Sequence, residues 1–134
     1  MGMKINAELP LPADLKAEHQ MSEKIIQLKK ERDAEIRKIF TGESDKFIVL
    51  VGPCSADNED AVCEYVNKLA QVNENLSDRL MIIPRIYTNK PRTTGAGYKG
   101  MLHQPSTQQA PELLAGIMAI RQMHIRPLEE RGLT

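Results

Sequence analysis

Phe47-Ile48-Val49-Leu50-Val51-Gly52-Pro53-Cys54-Ser55 is the stretch that decides the fold. Its first five residues are apolar without alternation, the pattern of a strand covered on both faces, as in parallel sheets. Gly52-Pro53 ends the run, because proline has no N–H for a ladder and fixes its φ. Downstream, Val62, Tyr65, Val66, Leu69, Asn73 and Leu76 recur at helical spacing and predict an amphipathic helix from about Asn58 to Asn75. Leu80-Met81-Ile82-Ile83 reads as a second buried strand, with Pro84 marking a bulge or a strand end. A long loop follows from Thr88 to about Gln108. Then Leu113, Leu114, Ile117, Met118, Arg121, Ile125 and Leu128 predict another amphipathic helix, closed by Gly132. Strand-helix-strand-helix order implies parallel α/β units.

Upstream of the strand the pattern differs. The first fifteen residues carry Pro10 and Pro12 and no period, so they read as an extended arm, and Met1-Gly2-Met3 reads as a leftover with a second start. From about Asp14 to Phe40 the period is helical, with Leu15, Ile25, Leu28, Ile36, Ile39 and Phe40 near one face. A break or late start is expected around Ser22, a good N-cap, and Thr41-Gly42 ends the helix. Lys29, Lys30, Glu31, Arg32 and Asp33 crowd the other face, where a solvated charge run is expected. The expected division is residues 1–45 as arm and helix and residues 46–134 as the α/β part.

Composition narrows the function classes. At 134 residues the chain has the size of one domain. Eighteen Lys+Arg balance eighteen Asp+Glu, so bulk charge gives no reason to expect nucleic-acid or anionic-membrane binding. A mean hydropathy of -0.40, with no apolar run longer than the five residues of the first strand, argues against a membrane span. The N-terminus lacks the apolar core of a signal peptide. Cys54 and Cys63 match neither a zinc-knuckle spacing nor a disulfide framework, so a reduced, cytoplasmic protein is expected. His19, His103 and His124 are scattered and complete no metal site with either cysteine.

Two parallel strands apolar on both faces do not make a core alone; their faces need helices and their edges need more strands. The chain stops where a third strand is expected, so it reads as the first part of a larger α/β protein. The alternative is a small domain that completes its sheet by oligomerising.

In parallel α/β folds the working face lies at the carboxyl ends of the strands. Cys54 falls there, as a nucleophile, a soft metal ligand or a small packing residue, whereas Cys63, beside Val62 and Val66, reads as packing. Between Asp78 and Glu112 there is no acidic residue, while Arg79, Arg85, Lys90, Arg92 and Lys99 are all positive. Within that segment Lys90-Pro91-Arg92-Thr93-Thr94 puts an ammonium, a guanidinium and two hydroxyls on one turn, followed by Gly95 and Gly97. Those are phosphate-binding parts, with a solvated basic loop as the alternative. The chain has neither a Walker loop nor Gly-x-Gly-x-x-Gly, and only Tyr87 and Tyr98 in this segment could stack a base.

Val51-Gly52-Pro53-Cys54-Ser55, Pro84-Arg85-Ile86-Tyr87, Lys90-Pro91-Arg92-Thr93-Thr94 and Tyr98-Lys99-Gly100 together closely resemble the type I 3-deoxy-D-arabino-heptulosonate-7-phosphate (DAHP) synthases. The likeness runs from about Phe47 onward, and the preceding helix resembles that family's pre-barrel extension. Gly95-Ala96-Gly97 makes the loop tip one residue longer than in some members. The resemblance implies a (β/α)₈ TIM barrel that condenses phosphoenolpyruvate with erythrose 4-phosphate at the head of aromatic amino acid biosynthesis. It further implies a divalent metal of the manganese, iron, cobalt or zinc class, a homo-oligomer, and an aromatic amino acid effector. By position, Cys54 resembles a metal-ligating cysteine and Arg85 a phosphoenolpyruvate-binding arginine. Lys90 resembles the catalytic lysine between the two substrates. Pro91 (through its backbone), Arg92 and Thr93 resemble the site for the sugar phosphate. The family's other metal ligands, a His, a Glu and an Asp, lie on later strands, so this chain is expected to hold two of eight β/α units and to be inactive alone. A stand-alone, non-catalytic or regulatory remnant is the competing expectation.

Overall fold

The structure, a computed structural model, describes Gly2 and residues 8–133; Met1 and residues 3–7 of the expected N-terminal arm lie outside the described residues. The elements are α1 (Pro12–Glu18), α2 (Glu23–Thr41), β1 (Phe47–Val51), α3 (Glu59–Leu76), β2 (Leu80–Pro84) and α4 (Leu113–Arg131).

The arm is shorter than its prolines suggest. Pro12 opens α1, because the N–H it lacks is one that a helix start leaves unpaired in any case. The Leu11 N–H donates to the Asp14 carboxylate at 3.2 Å and fixes that start. The expected break near Ser22 is present: its Oγ accepts from the Ile25 N–H at 3.4 Å and caps α2. Gly42, at φ 77°, ends α2 in the left-handed conformation.

β1 and β2 pair in parallel, Phe47 opposite Leu80 through Val51 opposite Pro84, with α3 as the crossover. Asn58 caps α3 by accepting from the Ala61 N–H at 2.9 Å. Side chains alternate across a strand, so Val51, Leu80 and Ile82 point to one face. There they meet Val62, Val66 and Leu69 of α3, Met123 of α4, Met101 of the long loop and Leu133. Arg126 ties the two helices together at the sheet's carboxyl end. It donates to Glu59 at 2.9 Å and Asp60 at 2.7 Å on α3 and to Glu130 at 2.8 Å on α4, and these carboxylates raise its pKa further.

Three expectations need correction. The continuous apolar run of β1 implies cover on both faces, yet Phe47 and Leu50 are 74% and 69% exposed. Leu50 shares its face with Met81, which is buried, so cover on that face reaches β2 and leaves the end of β1 open among the described residues. Phe40, assigned to the covered stripe of α2, is likewise exposed. Finally, the charge run of α2 is not wholly solvated: Arg32 is half-buried and its Nη2 donates to the Ile82 carbonyl at 2.6 Å.

Candidate functional site

The parallel register brings the carboxyl ends of β1 and β2 side by side. The Arg85 N–H extends the ladder by donating to the Val51 carbonyl at 2.8 Å. Past that point the Ala56 N–H donates to the Tyr87 carbonyl at 3.0 Å, so the two strand exits travel together. Gly52 makes this approach feasible. A Cβ there would lie 1.8 Å from the Arg85 carbonyl oxygen, inside any allowed contact.

Three of the residues singled out in the sequence meet at this junction. The Arg85 guanidinium donates to the Pro53 carbonyl at 3.1 Å and lies 4.4 Å from the centre of the Tyr87 ring. The Lys90 ammonium stands 3.3 Å from the exposed Cys54 Sγ. Both cations therefore converge on the end of β1, from a segment 30 or more residues downstream. Tyr87 enters as the aromatic plate under Arg85, a role that becomes visible only once the strand exit places the two side chains together.

The remaining candidates ride on the loop. The Lys90 N–H donates to the Lys99 carbonyl at 2.8 Å, closing residues 90–99 into a hairpin-like excursion. Inside it the Gly95 N–H donates to the Arg92 carbonyl at 3.0 Å, and Arg92 Nε donates to the Tyr98 carbonyl at 2.9 Å. Pro91, Arg92 and Thr93 are exposed. Arg92 thus turns its guanidinium onto its own loop, and no hydrogen bond links Arg92 or Thr93 to Cys54, Arg85 or Lys90 among the described residues. Two hydroxyls, Ser55 Oγ and Tyr98 Oη, are buried there without a hydrogen-bond partner among the described residues. Burial pushes the Tyr98 phenol up, and Asp57 adds to the shift.

The donor set does not make a complete metal centre. Among the described residues no three His, Cys, Asp or Glu side chains gather where they could share an ion. Cys54 offers one soft donor beside an ammonium, and one thiolate does not fill the shell of a divalent ion. The cysteines differ sharply otherwise. Cys63 is buried in α3, and burial pushes its thiol up, with Arg126 opposing. Its stabilising effect is full below the unfolded thiol's pKa and is lost as pH rises through the higher folded value. An alkylating reagent is expected to modify Cys54 in the native protein and Cys63 only on unfolding; equal labelling rates would contradict this arrangement.

Comparisons with known proteins identify the family of the chain. The DAHP synthetase I family matches residues 15–123. A phospho-2-dehydro-3-deoxyheptonate aldolase of Corynebacterium glutamicum is 34% identical over 118 residues, 88% of this chain and 32% of that protein. The phenylalanine-inhibited enzyme of Saccharomyces cerevisiae is 36% identical over 101 residues, 75% of this chain and 27% of its own length. The solved structure of the Francisella tularensis aldolase superposes with a TM-score of 0.88 at 26% identity, over 98% of this chain and 38% of that one. The chain thus spans about a third of the relatives it matches. No helix among the described residues is long and apolar enough to cross a membrane. With the model match covering most of its length and both strand exits inside it, the chain belongs to the DAHP synthetase I family.

Proposed function

We propose that this chain carries the first two β/α units of a DAHP synthase barrel, and with them part of the surface that holds phosphoenolpyruvate and erythrose 4-phosphate for condensation. The observation that supports this most is the convergence of Arg85 and Lys90 on the end of β1, within an acid-free segment of 33 residues between Asp78 and Glu112. Both proposed substrates are phosphate esters, so paired cations and hydroxyls are the chemistry they require.

Arg85 is the anchor for phosphoenolpyruvate. Its bond to Pro53 and its stacking on Tyr87 fix the plane of the guanidinium, so less freedom is lost when an anion docks. Lys90, at the junction of the two strand exits, neutralises charge between the two anions and is the proposed catalytic group. Arg92, held through Nε, keeps its terminal nitrogens for the sugar phosphate, with the Pro91 backbone and Thr93 beside it. Cys54 is the proposed single metal ligand from this chain, within a site whose other ligands these residues do not supply. The relatives named as phenylalanine-inhibited and Trp-sensitive support an aromatic amino acid effector for the whole protein.

Amide chemical shifts of the labelled chain test the assignment. Titration with phosphoenolpyruvate is expected to move Arg85 and Lys90, and erythrose 4-phosphate to move Arg92 and Thr93. Arg92→Ala is expected to weaken the sugar phosphate by about 1.5–3 kcal/mol in a site that excludes water, and by less in this exposed loop. Phosphoenolpyruvate should bind that variant as before. Shifts confined to other surfaces, or an unchanged response to erythrose 4-phosphate in Arg92→Ala, would refute the assignment.

A further inference from the structure

α4 meets the long loop at a glycine. Gly116 is buried near the start of that helix. A Cβ there would lie 2.6 Å from the Leu102 carbonyl carbon, 2.8 Å from the Met101 oxygen and closer still to the Leu102 oxygen. Only a residue without a side chain lets a helix and a loop backbone meet so closely. Two more contacts hold the loop in this seat. Met101 is buried in the same cluster as Met123 of α4. The Glu112 N–H, where α4 begins, donates to the His103 carbonyl at 3.1 Å.

From the seat, contacts lead back to the strand junction. The Leu102 N–H donates to the Thr88 carbonyl at 3.2 Å. Gly100, at φ 103°, presses on the same segment: a Cβ there would lie 2.8 Å from the Asn89 Cα and closer still to the Thr88 oxygen. Thr88 and Asn89 directly precede Lys90, whose ammonium stands 3.3 Å from Cys54 Sγ. Lys90 is therefore located from two sides. The bond from Ala56 to Tyr87 fixes the chain that leads into it, and α4 fixes the base of the loop through Met101 and Leu102. Residues 91–97, the tip, are exposed and lie outside this frame.

We propose that Gly116 is a positioning residue for the site: it seats the base of the loop on α4 and thereby sets Lys90 against Cys54. It touches neither side chain and acts through the Leu102 and Thr88 backbone. Lys90 matters here as the proposed catalytic group, so the inference rests on that reading. A pre-set ammonium spares the chain the cost of ordering it when anions arrive.

The rate of Cys54 alkylation by iodoacetate, divided by the rate with iodoacetamide at the same pH and low salt, reads the positive charge beside the sulfur. A cation about 4 Å away favours an anionic reagent by about fivefold even at the dielectric constant of water. Lys90→Met is expected to lower the ratio about fivefold. Gly116→Ala should lower it nearly as far, because the added methyl pushes the loop base, and Lys90 with it, away from the junction. Ile25→Ala empties a buried position of α2 outside the Met101 cluster, so it should lower the melting temperature yet keep the wild-type ratio. A wild-type ratio in Gly116→Ala, a lowered ratio in Ile25→Ala, or no change in Lys90→Met would overturn the proposal. If Gly116→Ala does not fold by circular dichroism, amide hydrogen exchange of the wild-type chain decides. Lys90 and Leu102 amides protected along with those of α4, while Gly95 exchanges fast, support the seat; Lys90 and Leu102 exchanging as fast as Gly95 overturn it. Neither measurement contains phosphoenolpyruvate, so a chain that ignores that substrate but shows the expected ratios keeps the positioning role and loses only the proposed function.

Discussion

Gly52→Ala is expected to destabilise the chain by about 3–5 kcal/mol, more than any ordinary surface change and a large part of the stability of a small domain. The added methyl would sit 1.8 Å from the Arg85 carbonyl oxygen and 2.8 Å from its carbon, and both are backbone atoms with no rotamer to yield. Relief requires the strand exits to separate. That movement breaks the Arg85-to-Val51 and Ala56-to-Tyr87 hydrogen bonds, each worth about 0.5–1.5 kcal/mol net, in addition to the overpacking itself. It also carries Arg85 and Lys90 away from Pro53 and Cys54, so a residue that touches no ligand should erase the shift response to phosphoenolpyruvate. Gly95→Ala is the comparison: its φ is +70°, but a Cβ there meets nothing, so only the left-handed backbone costs, about 1–2 kcal/mol. Thermal melts of the two variants decide the matter. A Gly52→Ala melt within a degree or two of wild type would mean that the strand exits are not packed as described.

Gly52 also marks how far the sequence could be read. That Gly-Pro ends β1 follows from local chemistry, and so do the period of α3 and the caps at Ser22 and Gly132. Each depends on residues a few positions apart. The collision between a Gly52 Cβ and Arg85 depends on the register of β1 against β2, which no pattern within either strand specifies. The same distinction separates the legible part of the site from the rest. The acid-free segment and the Lys-Pro-Arg-Thr-Thr turn are visible as composition. The 3.3 Å approach of Lys90 to Cys54 and the Tyr87 plate under Arg85 exist only because two strands lie side by side. Arg32 shows the limit most clearly. Within the run Lys29–Asp33 it looks like one more solvated charge, and what sets it apart is a backbone carbonyl 50 residues away. The apolar run of β1 misleads in the opposite sense: Phe47 and Leu50 record that both faces are suited to cover, and their exposure shows that these residues do not supply it.

The 134-residue chain is expected to form no DAHP from phosphoenolpyruvate and erythrose 4-phosphate, with or without added manganese. Catalysis of a two-substrate condensation depends on holding both reactants within contact of one another, an advantage that reaches about 7–11 kcal/mol for well-oriented groups. Here the geometry supplies Arg85 and Lys90 at the strand junction, while Arg92 bonds to its own loop and leaves the two proposed phosphate sites unconnected. Cys54 adds one soft donor, and among the described residues no three metal-ligating side chains gather to share an ion. Leu50, next to the carboxyl end of β1 that carries the site, is exposed, so among the described residues that end lacks a wall that would exclude water. Manganese should accordingly leave the melting temperature of the isolated chain unchanged, since an ion that binds the native state stabilises it in proportion to occupancy. A colorimetric assay for DAHP with a full-length family member as the positive control reads the first expectation, and a thermal melt with the metal reads the second. Measurable turnover by the chain alone would show that two β/α units suffice to orient both substrates, and the proposed division of the site would fall. A folded, inert chain whose loop residues ignore both substrates would instead favour the non-catalytic alternative, because the residues of the phosphate turn would then be present without the binding they are assigned.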